Sequence, residues 1–388
     1  MPERWFRSAS GCAICALALF VASCAGSRAP QPAADGGARG PSVILITIDG
    51  LRSEELFRGV DERVLASPEN SGIEYEDEAV RVREAFGGST PQRSRSALMP
   101  FFWDTLVPSG VLLGNPDLGE PVLVKNDQWF SAPGYIEILT GEPHADVVSN
   151  DAIRYPYPSF MEIAKRALDL GYTDVATIGS WTGFATLSSS EPDLFFTNTG
   201  FEEVAPAYAT ERMLWLGEIQ HDIMSLWPEG RSDAVTYGIA AEYIQKYKPR
   251  VLYIAFGETD DWAHERRYDR YLDYIHVFDD YLRRLWTLVQ SIDEYRDATT
   301  IIITTDHGRG HDPKEWVEHA VGLDGSEEIW IAIAGRGVPR RGEVVPAAPV
   351  TQSDVAATAL ELLGIDYRKF NPRMGPPIPA AFGAPAQP

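Results

Sequence analysis

Asp49, Asp260, His264, Asp306, His307 and His319 fall near the ends of apolar, strand-like runs, and His311 follows close behind. Carboxylate oxygen and imidazole nitrogen are donors that divalent zinc and manganese accept. The set exceeds what one tetrahedral ion needs. It therefore points to two ions side by side, and a metal pair points to phosphoryl-type chemistry. Asp260 and His264 are four residues apart, so one helical turn or a tight loop can aim both at one ion. Asp306 and His307 are adjacent, and neighbouring side chains diverge at a strand end, so the pair serves from a loop or bridges toward both ions. Asp261 competes with Asp260 for the same role. His144, His221 and His276 have no such context and read as ordinary histidines.

Positioning these groups requires a frame. The runs VILITI (43–48), VATIG (175–179), VLYIAF (251–256), TTIIITT (299–305) and IWIAIAG (329–335) read as buried strands. Helical patterns cover Pro158–Leu170, Ser232–Tyr247, Tyr268–Ile292 and Ser353–Leu363, with Ser353 as a cap. Strands separated by helices imply an α/β fold: a central, mostly parallel sheet with helices on both faces. In such sheets, sites gather beyond the carboxyl ends of the strands. Asp49, Asp260 and Asp306 each lie just past such an end. The segment from Arg52 to Asp127 has acidic, Gly and Pro patches and reads as an insertion of unassigned fold.

The chain has 388 residues, 44% of them hydrophobic, which is enough for one large core or two smaller ones. Its formal charge of −22 excludes a non-specific nucleic-acid binder, since a polyanion meets repulsion over most of the surface. A small anionic substrate is still admissible, because bound metals reverse the field inside a pocket. Cys12, Cys15 and Cys24 all lie in the first 24 residues. The body therefore has no Cys nucleophile, Cys metal site or internal disulfide. Arg4 and Arg7 precede an apolar stretch from Cys12 to Ala22, which has signal-peptide proportions and is too short for a stable span. Val21-Ala22-Ser23-Cys24 resembles a bacterial lipoprotein box, which implies lipidation of Cys24 and anchoring by several acyl chains. The plainer reading is a cleaved signal with an incidental Cys. Expected divisions are a lipoprotein signal (1–24), a flexible tether (25–40), a metallohydrolase body (41–370) and a Pro/Ala-rich tail (371–388).

ILITIDG (44–50), FSAPGYIEILTG (130–141), GETDDWAH (257–264), TTDHGRG (304–310) and His319 occur in an order that resembles the alkaline phosphatase superfamily. The likeness is strongest to its nucleotide pyrophosphatase/phosphodiesterase and sulfatase-like branches, and it runs from Val43 to Leu363. It implies one metal held by Asp49, Ser131, Asp306 and His307, and another held by Asp260, His264 and His319. The family's spacing selects Asp260 over Asp261. Zinc is the default ion and manganese the alternative. His311 reads as a ligand, as a group orienting one, or as a surface residue.

The resemblance makes Ser131 the nucleophile. With Pro133 in the first turn, Ser131 falls at or near a helix start, where its oxygen faces the positive end. A plain capping serine is the commoner use of this arrangement. Ser89-Thr90-Pro91-Gln92-Arg93 competes, since it resembles the element that sulfatases convert to formylglycine, but it lacks that element's Leu-Thr-Gly ending. Ser131 has the ending and carries Tyr135 where the arginine would be. The phosphodiesterase branch places an oxygen-binding Asn after its nucleophile, and this chain has Gly134 there. The missing donor would come from backbone amides, from Asn126 or Lys125, or from elsewhere. The implied activity is two-metal hydrolysis of a small phosphate mono- or diester through a phosphoserine. Sulfate hydrolysis, phosphoryl or phosphoethanolamine transfer, and non-catalytic binding at the surface are the alternatives. The implied location is the cell envelope, on its periplasmic or outer face, with the N-terminal lipid in the membrane.

Overall fold

The computed structural model describes residues 40–119 and 121–383. The expected signal, Cys24 and all of the tether but Gly40 lie outside the described residues. Among the described residues ten strands form: β1 (Ser42–Ile48), β2 (Gly110–Leu113), β3 (Val122–Leu123), β4 (Val175–Gly179), β5 (Phe196–Thr199), β6 (Val251–Phe256), β7 (Thr299–Thr304), β8 (Glu328–Ile329), β9 (Ile331–Gly335) and β10 (Gly342–Glu343). Eight of them make one sheet in the order β10-β2-β9-β7-β1-β6-β4-β5, while β3 and β8 pair separately. From β7 to β5 every pairing is parallel. β9 runs antiparallel to both of its neighbours. The sheet is mostly parallel and the fold α/β.

Side chains alternate across a strand, and β1 shows the consequence. Ile44, Ile46 and Ile48 enter one core with Ile239 and Tyr243 of the helix Asp233–Tyr247 and Tyr271 and Phe278 of the helix Tyr268–Ser291. Val43 and Leu45 enter the other, with Ile136 of the helix Ser131–Thr140, Phe160 of the helix Phe160–Ala167 and Leu360 of the helix Asp354–Leu362. Burial on both faces is why the central strands are continuous apolar runs. Ser159 and Glu162 cap the helix at Phe160 reciprocally. Ser353, expected as a cap, makes no capping bond, and its hydroxyl donates to Glu137 Oε1 at 2.7 Å.

The segment 52–127 is a helical excursion that rejoins the sheet as β2. Its helices include Glu76–Phe86 and Pro91–Leu98. Phe86, Leu98 and Phe102 share the core of the helix Tyr268–Ser291, whose Asp279 accepts from the amides of Phe101 (2.8 Å) and Phe102 (2.7 Å). Within the expected tail, residues 371–383 carry one short 3-10 turn, yet Met374, Ile378 and Ala381 are buried. No described helix is long and apolar enough to cross a membrane.

Candidate active site

Parallel β1, β6 and β7 are neighbours in register, with Ile48 opposite Phe256 and Thr47 opposite Thr304. Their carboxyl ends therefore open onto one edge. Asp49 follows β1 directly, Asp306 follows β7 by one residue, and Asp260 lies in the helix Glu258–His264 just past β6. Gly50 turns this edge at φ 58°, and a Cβ there would sit 2.9 Å from both Asp260 Oδ1 and Arg309 Nε. Only glycine allows the left-handed turn and the close approach together.

Two overlapping donor groups result, Asp49–Asp260–His307 and Asp260–His264–His319, each with its atoms within 4.8 Å of one another. His264 and His319 face each other through Nε2 at 3.1 Å. His264 Nε2 lies 3.2 Å from Asp260 Oδ2, and His307 Nε2 lies 3.2 Å from Asp49 Oδ1 and 3.4 Å from Asp306 Oδ2. The rings of His307 and His319 stack with centroids 3.7 Å apart. Expected to diverge, Asp306 and His307 converge instead, because His307 folds back to donate from Nδ1 to the Gly308 carbonyl (2.9 Å). His319 Nδ1 donates to the Trp129 carbonyl (3.2 Å). Both bonds turn Nε2 of the ring toward the carboxylates.

The electrostatics follow from crowding. Burial, then Asp49, push the Asp306 carboxyl well above its ordinary range. Burial opposes charge on His307, but Asp306 and Asp49 outweigh it and raise the ring to about 9. Burial and the neighbouring cationic groups hold His319 well below the usual value, and burial lowers His264. Asp49 Oδ1, Asp306 Oδ2 and His307 Nε2 are buried and make no well-formed hydrogen bond. Orphaned carboxylate oxygens, two imidazoles held neutral and a third facing the same carboxylates, all concentrated at one point, are what a divalent cation satisfies in place of a proton, so the residues fit a metal centre.

Ser131 opens the helix Ser131–Thr140 and lines a cavity of about 400 Å³ with Asp49, Asp260 and His264. The helix is docked tightly. A Cβ at Gly134 would lie 2.4 Å from the Asp306 carbonyl, so no side chain fits where the phosphodiesterase pattern carries its Asn. Buried Glu137 accepts from the backbone amides of Lys125 and Asn126 and from Asn126 Nδ2. Asn126 Oδ1 accepts from the amides of Gln128 and Trp129. Asn126 and the Lys125 amide thus build the loop that presents the Trp129 carbonyl to His319, and neither side chain lines the cavity. His311 is also outside it, paired with Glu54 and, at 3.4 Å, with Glu328. Ser89 is exposed, accepts from Arg93 (3.3 Å) and does not line the cavity.

Three residues at the site escaped the sequence. Asn150 lines the cavity, and its Oδ1 accepts from the Ala132 amide at 3.0 Å. Tyr135, noted only for the arginine it replaces, donates its hydroxyl to Asp49 Oδ2 at 2.8 Å. Buried Arg309 pairs with Asp260 and donates to the Val317 carbonyl at 2.7 Å. A cation inside the acidic TTDHGRG run was the available signal for Arg309, while nothing local marked Asn150.

The family model described as Sulfatase matches residues 128–365. Among solved structures, alkaline phosphatase PafA superposes with a TM-score of 0.57 at 10% identity, covering 90% of this chain and 100% of that one. A 2-O GAG sulfatase gives 0.53 at 14%, covering 90% and 74%. Phosphonate monoester hydrolase SpPMH from Silicibacter pomeroyi gives 0.52 at 12%, covering 90% and 78%. At these identities the likeness is one of fold. No curated protein matches the chain.

Proposed function

The chain belongs to the sulfatase family, and from that premise we propose that it hydrolyses phosphate esters with Ser131 as the nucleophile. The observation that carries the reading is Ser131 at a helix start, lining one cavity with Asp49, Asp260 and His264. Asp49, Asp306, His307 and Ser131 would hold one divalent ion and Asp260, His264 and His319 another, with zinc the default and manganese the alternative. Bound there, such ions lower a hydroxyl's pKa and offset charge on the leaving oxygen.

The chain's own groups do the rest. Tyr135 fixes the orientation of Asp49, and Arg309 that of Asp260. Ser131 Oγ forms a bond to phosphorus as the ester oxygen departs, and the departing alcohol takes up a proton. Water then opens the phosphoserine, returning the hydroxyl and releasing phosphate from a monoester or a phosphate monoester from a diester. Asn150, its oxygen held by the Ala132 amide, offers its NH2 to a non-bridging oxygen as charge builds.

Sulfate-ester hydrolysis is the second reading, favoured by the family match itself. Against a formylglycine route, the arginine of that element is replaced by Tyr135, whose hydroxyl is bound to Asp49. Export and anchoring through Cys24 belong to the proposal on the strength of the sequence. A panel of aryl phosphate monoesters, diesters and sulfate esters ranks the reactions. Ser131→Ala should keep its metal content and lose on the order of a thousandfold or more in turnover. Wild-type turnover by that variant would remove Ser131 from the mechanism.

A further inference from the structure

Beyond the strand tips, the cavity wall is formed by Trp181, Trp227, Asp151, Glu229, Glu258 and Asp261, with one cation, Arg231. That cation is not available to a substrate. Arg231 is buried and its guanidinium points away, Nε to Thr236 Oγ1 (2.9 Å), with its terminal nitrogens donating to Asn198 Oδ1 (2.8 Å) and the Asn198 carbonyl (3.4 Å). Glu258 is engaged, accepting from Ser232 Oγ (2.9 Å) and the Asp233 amide (2.8 Å). Among the described residues, the carboxylate of Glu229 makes neither a hydrogen bond nor an ion pair, whereas burial, with Asp233 and Asp49 nearby, raises the Asp261 carboxyl to about 8 and favours its uncharged form at neutral pH.

The two indoles stand at opposite ends of the ligand set. Trp181 lies 6.5 Å from Tyr135, which holds Asp49, and Trp227 lies 6.4 Å from His264, centroid to centroid. Trp181 is seated: its ring rests over Gly183, where a Cβ would come within 2.5 Å, and meets Phe184 edge-on at 5.6 Å. The loop bearing Trp227 and Glu229 is strapped to it by Thr182 N to Glu229 O (2.9 Å) and Arg231 N to Ser180 O (3.0 Å). Both aromatic walls are therefore in place before any substrate arrives.

Indoles alone would suit an apolar substituent as well as a cation. The unpaired Glu229 carboxylate beside them decides between the two. It repels a second negative group and penalises a neutral one that strips its water, while a cation gains from the indoles and the carboxylate. We infer that the ester turned over here carries an alkylammonium substituent, seated in the part of the cavity lined by Trp181, Trp227 and Glu229. The inference rests on the cavity being the hydrolytic site.

The test compares p-nitrophenyl phosphorylcholine with its uncharged carbon isostere, p-nitrophenyl 3,3-dimethylbutyl phosphate, on the metal-loaded protein. The expected result is at least about a tenfold higher kcat/KM for the ammonium ester. Glu229→Gln or Trp227→Leu should each bring that ratio toward unity. Equal kcat/KM for the two esters on the unaltered protein would overturn the inference and leave the hydrolase reading standing. If neither ester is cleaved, diester hydrolysis fails, and a titration with choline followed by tryptophan fluorescence decides the inference separately. Saturable quenching by choline but not by 3,3-dimethylbutanol, abolished in Trp227→Leu, upholds it. No difference between the two alcohols overturns it.

Discussion

Asn150 holds the start of the nucleophile's helix with its oxygen, so only its NH2 group remains to meet a substrate in the cavity. Donors aimed at developing charge act strongly where water is excluded. Asn150→Ala should lower kcat by about 10²–10³-fold with metal content unchanged, and an unaltered kcat would remove it from the oxyanion's shell. His311 illustrates a different use of a polar residue. Hydrogen bonds donated to Glu328 and Glu54 raise it to about 10. Burial works against charge on Glu54, but Arg52 and His311 outweigh it and hold the carboxyl at about 2. The signs are opposite. His311 contributes stability that is whole below its unfolded value near 6.5 and is lost as pH rises through about 10. Glu54 contributes above its unfolded value of 4.5, and that contribution is lost as pH falls through about 2. In urea titrations, His311→Gln should be less stable at pH 7 by on the order of 1 kcal/mol, after allowance for solvent at this half-exposed ring. Its stability should then change less than the wild type's between pH 7 and 10. Parallel pH curves would show that the pair adds nothing.

At the scale of elements, the docking of the helix Ser131–Thr140 sets where the nucleophile stands. Gly134 lets that helix lie directly on the backbone of Asp306, where an added Cβ would come within 2.4 Å of a carbonyl oxygen. Gly134→Ala should move the helix off the strand tip and destabilise by about 1–3 kcal/mol. Turnover should fall further than stability explains, because Ser131 moves with the helix. Native turnover in that variant would mean the nucleophile's position tolerates a shift. The strand tips were legible for a physical reason: β1, β6 and β7 are buried on both faces, so each is a continuous apolar run with an acid just beyond it. The long helices were read within two residues for Ser232, Tyr268 and Ser353, since their patterning is local. Strand direction is not local, and β9 reads like its parallel neighbours although it is antiparallel. The four-residue strands β2 and β5 are too short for periodicity, and β5, Phe196–Thr199, is largely polar. Asn150, Tyr135 and Arg309 acquire their roles from partners that only folding brings near, as does Ser353, which turned from a cap into a donor to Glu137.

For the whole molecule, the sheet gathers Asp49, Asp260 and Asp306 at one edge of a chain whose formal charge is already −22. Parallel strands leave no choice in this, because every carboxyl end they contribute faces the same side. Folding therefore brings like charges together in a buried place, where burial and Asp49 drive the Asp306 carboxyl upward. A divalent cation binds this gathered set and has no equal in the unfolded chain, so metal binding and folding are linked. At a free ion concentration a hundredfold over Kd, each site should add about 2.7 kcal/mol. For a domain of this size that corresponds to a rise in the unfolding midpoint of roughly 4 °C per site. The measurement is a thermal scan after chelation and again after refilling with Zn2+ or Mn2+. Ser131→Ala should retain most of the rise, since six other donors remain, while Asp260→Asn should lose most of it, because Asp260 belongs to both donor groups. A midpoint that neither ion moves would mean the strand tips hold no metal, and the two-ion chemistry would fall together with the role assigned to Ser131.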